Sequence, residues 1–279
     1  MRSLAWASWF LRWFYVERFA ALRGRLPCAL GPYQRVIDER FGDDAATPLV
    51  LVPGLLCDNR LWRHQAEHLA DLADPMIADI TNCASVSEMA RTVLDAAPPG
   101  GRFALTGLSM GGYVALEIMR IAPERISRLA LLDTSARADT PEQTATRREL
   151  IELSHEGRFD EVPRKLLPNI VHPDRLDDER LTSTVFAMAK AVGPEAFERQ
   201  EEAIIGRPDS REDLPSIACT TLVLCGREDA LTPVRLHEEM AALIPGSRLH
   251  VIDECGHLSA LERPEEVTAA LREWLGGDS

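Results

Sequence analysis

A serine hydroxyl becomes a useful nucleophile when a base stands beside it and an acid holds that base in the right tautomer. The chain places one serine in a setting suited to this chemistry, Ser109 in "GLSMGG", with Gly107 and Gly111 on either side. "RFALTG" before it reads as a strand and "YVALEIM" after it as a helix. A sharp strand-to-helix turn lifts Oγ clear of a sheet, and the close backbone approach it needs is easier where the neighbours lack Cβ. The same turn sets Ser109 at a helix amino terminus, where unsatisfied N–H groups favour negative charge. An inert serine in a glycine-rich turn is the plainer alternative, because both residue types are common in turns. A phosphate-cradling loop fits less well, since "GLSMGG" lacks both the G-K-[ST] ending and the third-position glycine of a dinucleotide loop.

Seven histidines compete for the role of base. His64, His68 and His237 fall in predicted helices, His155 and His172 in a later helical segment, and His250 inside a predicted strand. His257, in "VIDECGHLSALERPEEV", follows that last strand directly, in a loop beside the sheet edge that Ser109 should occupy. For the orienting acid, "TLVLCGREDALTP" sets Asp229 just after a buried strand, where its carboxylate can accept Nδ1–H of His257. Asp133, in "LALLDTS", is its rival, while Glu228 should point elsewhere and Asp253 should support the loop. An oxyanion hole needs two donors; the backbone N–H groups of Met110 and of Leu55, in "LVPGLLCDNRLW", are the candidates. Leu56, Leu231 and Leu258, with the side chain of Met110, are candidate substrate-pocket residues, packing being their simpler role.

These residues need a sheet with helices to position them. "TPLVLVPG", "PMIADI", "RFALTG", "ISRLALLDT", "CTTLVLCG" and "SRLHVIDECG" are short apolar runs that read as strands, and helical patterns alternate with most of them. In "NRLWRHQAEHLADLA" a stripe of Leu61, Gln65, His68, Leu69 and Leu72 marks the first helix. Such alternation predicts an α/β fold, a mostly parallel sheet with helices on both faces. Between Asp133 and about Asp213 only helical patterns occur, so residues 135–213 are expected to form a helical cap, flanked by core segments 31–134 and 214–279. Basic cap residues at 147, 148, 158, 164, 165, 175 and 180 could meet an anionic group, although solvated positions are the usual fate of such side chains.

Composition bounds the partners. Forty-four acidic against 31 basic residues give a formal charge of -13, which argues against a chain-wide nucleic-acid surface. The six cysteines form no C-x-x-C pair or zinc-type spacing and read as cytosolic thiols, so a cytoplasmic protein is expected. Residues 1–30 form an aromatic-rich extension expected to be helical, in which Arg12, Glu17 and Arg18 interrupt the apolar run. That interruption disfavours a membrane span or a secretory signal. Packing on protein, a homodimer contact, a weak membrane contact or a poorly ordered upstream extension are the roles left for it.

Taken together, "GLSMGG", "GREDALTP", "CGHLSALERPEEV" and "LVPGLLCDNRLW" make the chain resemble the alpha/beta-hydrolase superfamily over about Pro48 to Leu275, particularly its small esterases, enol-lactonases and menaquinone-pathway synthase-like members. The resemblance implies the alpha/beta-hydrolase fold with a cap. It also implies Ser109, Asp229 and His257 as nucleophile, acid and base, Leu55 and Met110 as oxyanion donors, and no metal or organic cofactor. The expected substrate is a small or medium carboxylic ester; an enol-lactonase, a cofactor-free lyase or synthase that uses the same triad for proton abstraction, and a noncatalytic interaction protein are the alternatives. Pro53 stands where many members have histidine, and the paired strands that usually precede the first parallel strand are reduced to "YQRVIDERF".

Overall fold

The structure, a computed structural model, describes residues 46–276. The aromatic segment 1–30 and "YQRVIDERF" lie outside the described residues. Six strands form one sheet: β1 (Thr47–Val52), β2 (Ala73–Ile77), β3 (Phe103–Leu108), β4 (Ile126–Leu132), β5 (Thr220–Gly226) and β6 (Arg248–Ile252). Their order is β2-β1-β3-β4-β5-β6, and every adjacent pair runs parallel. The chain starts at β1, steps outward to β2, then returns past β1 to β3. The carboxyl ends of β1 and β3 therefore flank the switch point, where open sheets of this kind bind ligands.

Helices α1 (Arg63–His68), α2 (Val86–Ala96), α3 (Met110–Ile121), α4 (Pro141–His155), α5 (Val162–Ile170), α6 (Glu179–Ile205), α7 (Val234–Leu243), α8 (Ser259–Glu262) and α9 (Pro264–Gly276) complete the described elements. Alternation along a strand sends successive side chains to opposite faces. Val50 and Val52 join one core with Met89 and Val93 of α2, Val114 of α3 and Met240 of α7. Leu49 and Leu51 join the other with Leu61, Trp62 and Leu69 around α1 and Leu271 and Trp274 of α9. Burial on both faces is what makes the central strands read as continuous aliphatic runs.

The first helix is shorter than its apolar stripe. Leu61, Gln65 and Leu69 are fully buried, but His68 and Leu72 are exposed because the chain leaves α1 after His68 and turns into β2. Between β4 and β5 only helices occur. α4 opens with a capping box, Thr140 accepting Gln143 N–H while Gln143 accepts Thr140 N–H, and Pro141 begins the helix. Helix α6 is broken by a kink where Gly193 takes φ 79° before Pro194. Leu150, Ile151, Val162, Ala189 and Phe197 give this insertion a core of its own, which also takes in Leu56.

Candidate active site

Ser109 stands between β3 and α3 with φ 56° and ψ -116°, a backbone conformation that a residue with a Cβ adopts at a cost. Its surroundings hold it there: Ser109 N–H donates to the Leu132 carbonyl at 2.9 Å, and its own carbonyl accepts Gly112 N–H at 2.9 Å and Thr134 Oγ1 at 2.7 Å. A Cβ on Gly107 would overlap the Gly111 carbonyl, and one on Gly111 would overlap the Val52 carbonyl. Those two glycines are therefore required by close packing of backbone on backbone. Gly112, which the sequence reading did not single out, lies against the Thr134 side chain with equally little room; a third glycine so close to the serine was its signal.

His257 Nε2 lies 2.8 Å from Ser109 Oγ, and His257 Nδ1 lies 2.8 Å from Asp229 Oδ2. Asp229 follows β5 and is 3 % exposed, as is His257. Leu231 and Thr232 donate backbone N–H to Asp229 Oδ1 at 2.9 and 2.8 Å, and Thr232 Oγ1 donates to Oδ2 at 2.6 Å. Burial opposes charge on both groups, but the charge and hydrogen bond each offers the other outweigh it, so the Asp229 pKa is lowered and that of His257 raised. Asp133 does not reach the imidazole. It accepts Gly226 N–H at 3.0 Å, Ser259 N–H at 3.3 Å and the Ser259 hydroxyl, fastening the ends of β4 and β5 to the chain just beyond His257. Glu262 acts from the other side, accepting N–H from Gly256 at 3.0 Å and from His172 at 2.8 Å. Glu228 accepts Cys255 N–H, and Asp253 pairs with Arg227 at the surface.

Leu55 and Met110 are brought to the same place. Met110 is the first residue of α3, where a helix leaves its N–H groups without intrahelical acceptors, and the Ser109 side chain does not cap it. Leu55 belongs to a turn after β1 closed by Cys57 N–H on the Gly54 carbonyl at 3.2 Å. A Cβ on Gly54 would lie 3.3 Å from Ser109 Cβ, so this turn abuts the serine. Both Ser109 and His257 open on a cavity of about 310 Å³ whose lining includes Leu55, Leu56, Leu231 and Leu258. Met110 departs from expectation here, for its side chain packs into the core under the sheet and not into the cavity. The other side of the cavity is the helical insertion, with Leu150, Leu166, Val185 and Met188 among its apolar contributions.

Of the basic residues expected in the insertion, only Arg147 lines the cavity, and its charge is met at 2.7 Å by both Asp139 and Glu201. Arg207 bonds the other oxygen of Asp139 at 2.6 Å and stacks over the Tyr113 ring. Arg148, Arg158 and Arg175 pair with carboxylates outside the cavity, and Arg164 lies over the Phe186 ring. Polar residues that the sequence reading passed over also act here. Thr232 supports Asp229, and Gln200, 1 % exposed, accepts Leu56 N–H at 3.0 Å. Gln200 interrupts the apolar stripe of Phe197 and Ile204, which was the one available signal for it. Among the described residues no cluster of three or more His, Cys, Asp or Glu could hold a metal ion, and no helix is long and apolar enough to cross a membrane.

Residues 49–270 match the model of the alpha/beta hydrolase family. The chain belongs to this family. A thermophilic esterase from Thermogutta terrifontis superposes on it with a TM-score of 0.76 and 33% identity, over 84% of this chain and 92% of that one. The enol-lactonase from Burkholderia xenovorans LB400 shares the fold at a TM-score of 0.75 and 22% identity, over 83% of this chain and 92% of that one. In sequence, a pimeloyl-[acyl-carrier protein] methyl ester esterase from Photobacterium profundum is 26% identical over 68% of this chain and 76% of the relative. The parallel sheet and its helices on both faces are those of an alpha/beta hydrolase.

Proposed function

We propose that this alpha/beta hydrolase is a serine esterase that cleaves a small or medium carboxylic ester through an acyl-enzyme. The observation that carries the reading is the unbroken hydrogen-bonded chain from Ser109 Oγ through His257 to Asp229, opening on a largely apolar cavity. In this mechanism Ser109 Oγ attacks the ester carbonyl while His257 Nε2 takes its proton, and Asp229 stabilises the imidazolium that forms. The N–H groups of Leu55 and Met110 receive the developing oxyanion; losing one such donor costs about 3 kcal/mol of transition-state stabilisation. Collapse releases the alcohol with a proton from His257, and water, activated by the same imidazole, then frees the acid. The helical insertion acts as a cap that shapes the acyl and alcohol sides, and within it the charge of Arg147 is already met by Asp139 and Glu201. Esterases among the relatives support the choice of ester over other bonds.

The test is turnover of short and medium acyl esters by the purified protein, with products identified as acid and alcohol. Ser109→Ala is expected to reduce kcat/KM by a factor on the order of 10⁴ or more. Turnover unchanged by that substitution rejects the nucleophile, and a product retaining both halves of the substrate rejects hydrolysis.

A further inference from the structure

The turn that carries Leu55 is held from the insertion by one side chain. Gln200 Oε1, on the second half of α6, accepts Leu56 N–H at 3.0 Å across 144 residues of sequence. Leu56 is the third residue of the Gly54–Cys57 turn and takes φ 57°, a region that favours glycine at this position of a turn. Such backbone persists only where its surroundings over-determine it. Here the determinants are the Gln200 bond and the burial of the Leu56 side chain among Leu150, Ile151 and Phe197. Both come from the helical insertion, while the sheet positions Ser109.

The amide of Gln200 is a poor choice for packing alone. Its Nε2 is buried without a hydrogen-bond partner, so the side chain carries the cost of an unsatisfied donor for the sake of one acceptor. A local rule broken in this way, beside a strained turn whose Gly54 abuts Ser109, is what a functional constraint looks like. We infer that Gln200 is a positioning residue of the oxyanion site, fixing the Gly54–Cys57 turn so that Leu55 N–H faces the growing negative charge. This role rests on the serine-esterase reading and extends it: the insertion shapes the rate of the chemical step as well as the cavity.

Two variants of the full chain test it, Gln200→Met and Gln200→Glu, with rates referred to the Ser109 sites titrated by a small phosphonate ester. Gln200→Met is expected to lower kcat by about 10- to 100-fold, with KM within about twofold, since it disturbs one oxyanion donor without removing it. A trifluoromethyl ketone, which forms a tetrahedral oxyanion on serine, is expected to lose affinity by a similar factor. Gln200→Glu keeps an oxygen acceptor and is expected to recover most of kcat at low pH. Its ratio to wild type then falls as pH rises, because an ionised carboxylate beside the turn opposes the oxyanion. A packing role would instead reduce the number of titratable sites and leave kcat per site unchanged. That result overturns the positioning role, as does a rise in KM with kcat preserved. If Gln200→Met does not fold, a Gln200→Glu profile parallel to wild type at every pH overturns it alone. Failure of the esterase reading looks different, because wild-type Ser109 then takes no phosphonate and Ser109→Ala retains turnover.

Discussion

His257 faces Asp229 directly and Asp133 at longer range, and burial acts on the three groups in different directions. Burial, followed by repulsion from Asp229, pushes the Asp133 carboxyl well above the usual carboxylate range. Asp229 stays below that range because His257 and Thr232 compensate its burial. One carboxyl is thus suited to ionise beside the imidazole and the other to hold chain ends together. As a base His257 must be neutral, and its pKa is raised from 6.5. The acid limb of kcat/KM is therefore expected above pH 6.5, the rate rising with pH as the imidazole loses its proton. Asp229→Asn is expected to lower kcat by a factor on the order of 10⁴ and to shift that limb to lower pH, since the charge that raises the pKa is gone. A pH profile of the variant that keeps the wild-type limb contradicts Asp229 as the orienting acid.

Among the elements, α7 supports the serine turn without touching it. His237, fully buried on α7, accepts Thr134 N–H on Nε2 at 2.9 Å, and Thr134 in turn donates its hydroxyl to the Ser109 carbonyl. Burial lowers the His237 pKa from 6.5 to about 4. The unfolded chain binds this proton first as pH falls, so the group's contribution is complete above pH 6.5 and is lost on descending to about 4. The full loss is on the order of 3 kcal/mol. Chemical denaturation across that range checks it: His237→Gln, which keeps an acceptor but no titrating group, is expected to show a flatter dependence of stability on pH. The strands were legible because each is a short aliphatic run bounded by turn residues, as in "TPLVLVPG" and "TTLVLCG". The end of α1 was not, because tertiary packing stops the helix where periodicity would continue it. Ser109, Asp229 and His257 were legible as residues at strand ends, whereas Glu262 acts through contacts that no local pattern encodes and Gln200 shows only as a break in an apolar stripe.

At the scale of the whole molecule, buried charge ties the two ends of the insertion to each other beside the cavity. Asp139, with a side chain 1% exposed, bonds Arg147 on one oxygen and Arg207 on the other. Arg207 also donates to the Arg137 carbonyl, tying the chain that leaves α6 to the chain that enters α4. Asp139→Ala would strip one partner from each of two poorly exposed guanidinium groups, and breaking buried pairs in this way is strongly destabilising. A loss of about 3 kcal/mol in urea unfolding is expected, moderated because Arg147 retains Glu201. Stability unchanged in this variant would mean that the network is solvated and that the cavity wall owes its order to apolar packing alone.

A serine esterase of the proposed kind must carry an acyl group on Ser109 during turnover. Rapid quenching of the protein with a short-chain nitrophenyl ester, followed by mass analysis of the peptide that spans Ser109, tests it most directly. An acyl group on Ser109 in wild type, formed and lost at rates consistent with kcat and absent in Ser109→Ala, is the predicted result. Continued ester turnover with no acyl group on that peptide, and equal turnover by Ser109→Ala, would rule out Ser109 as the nucleophile.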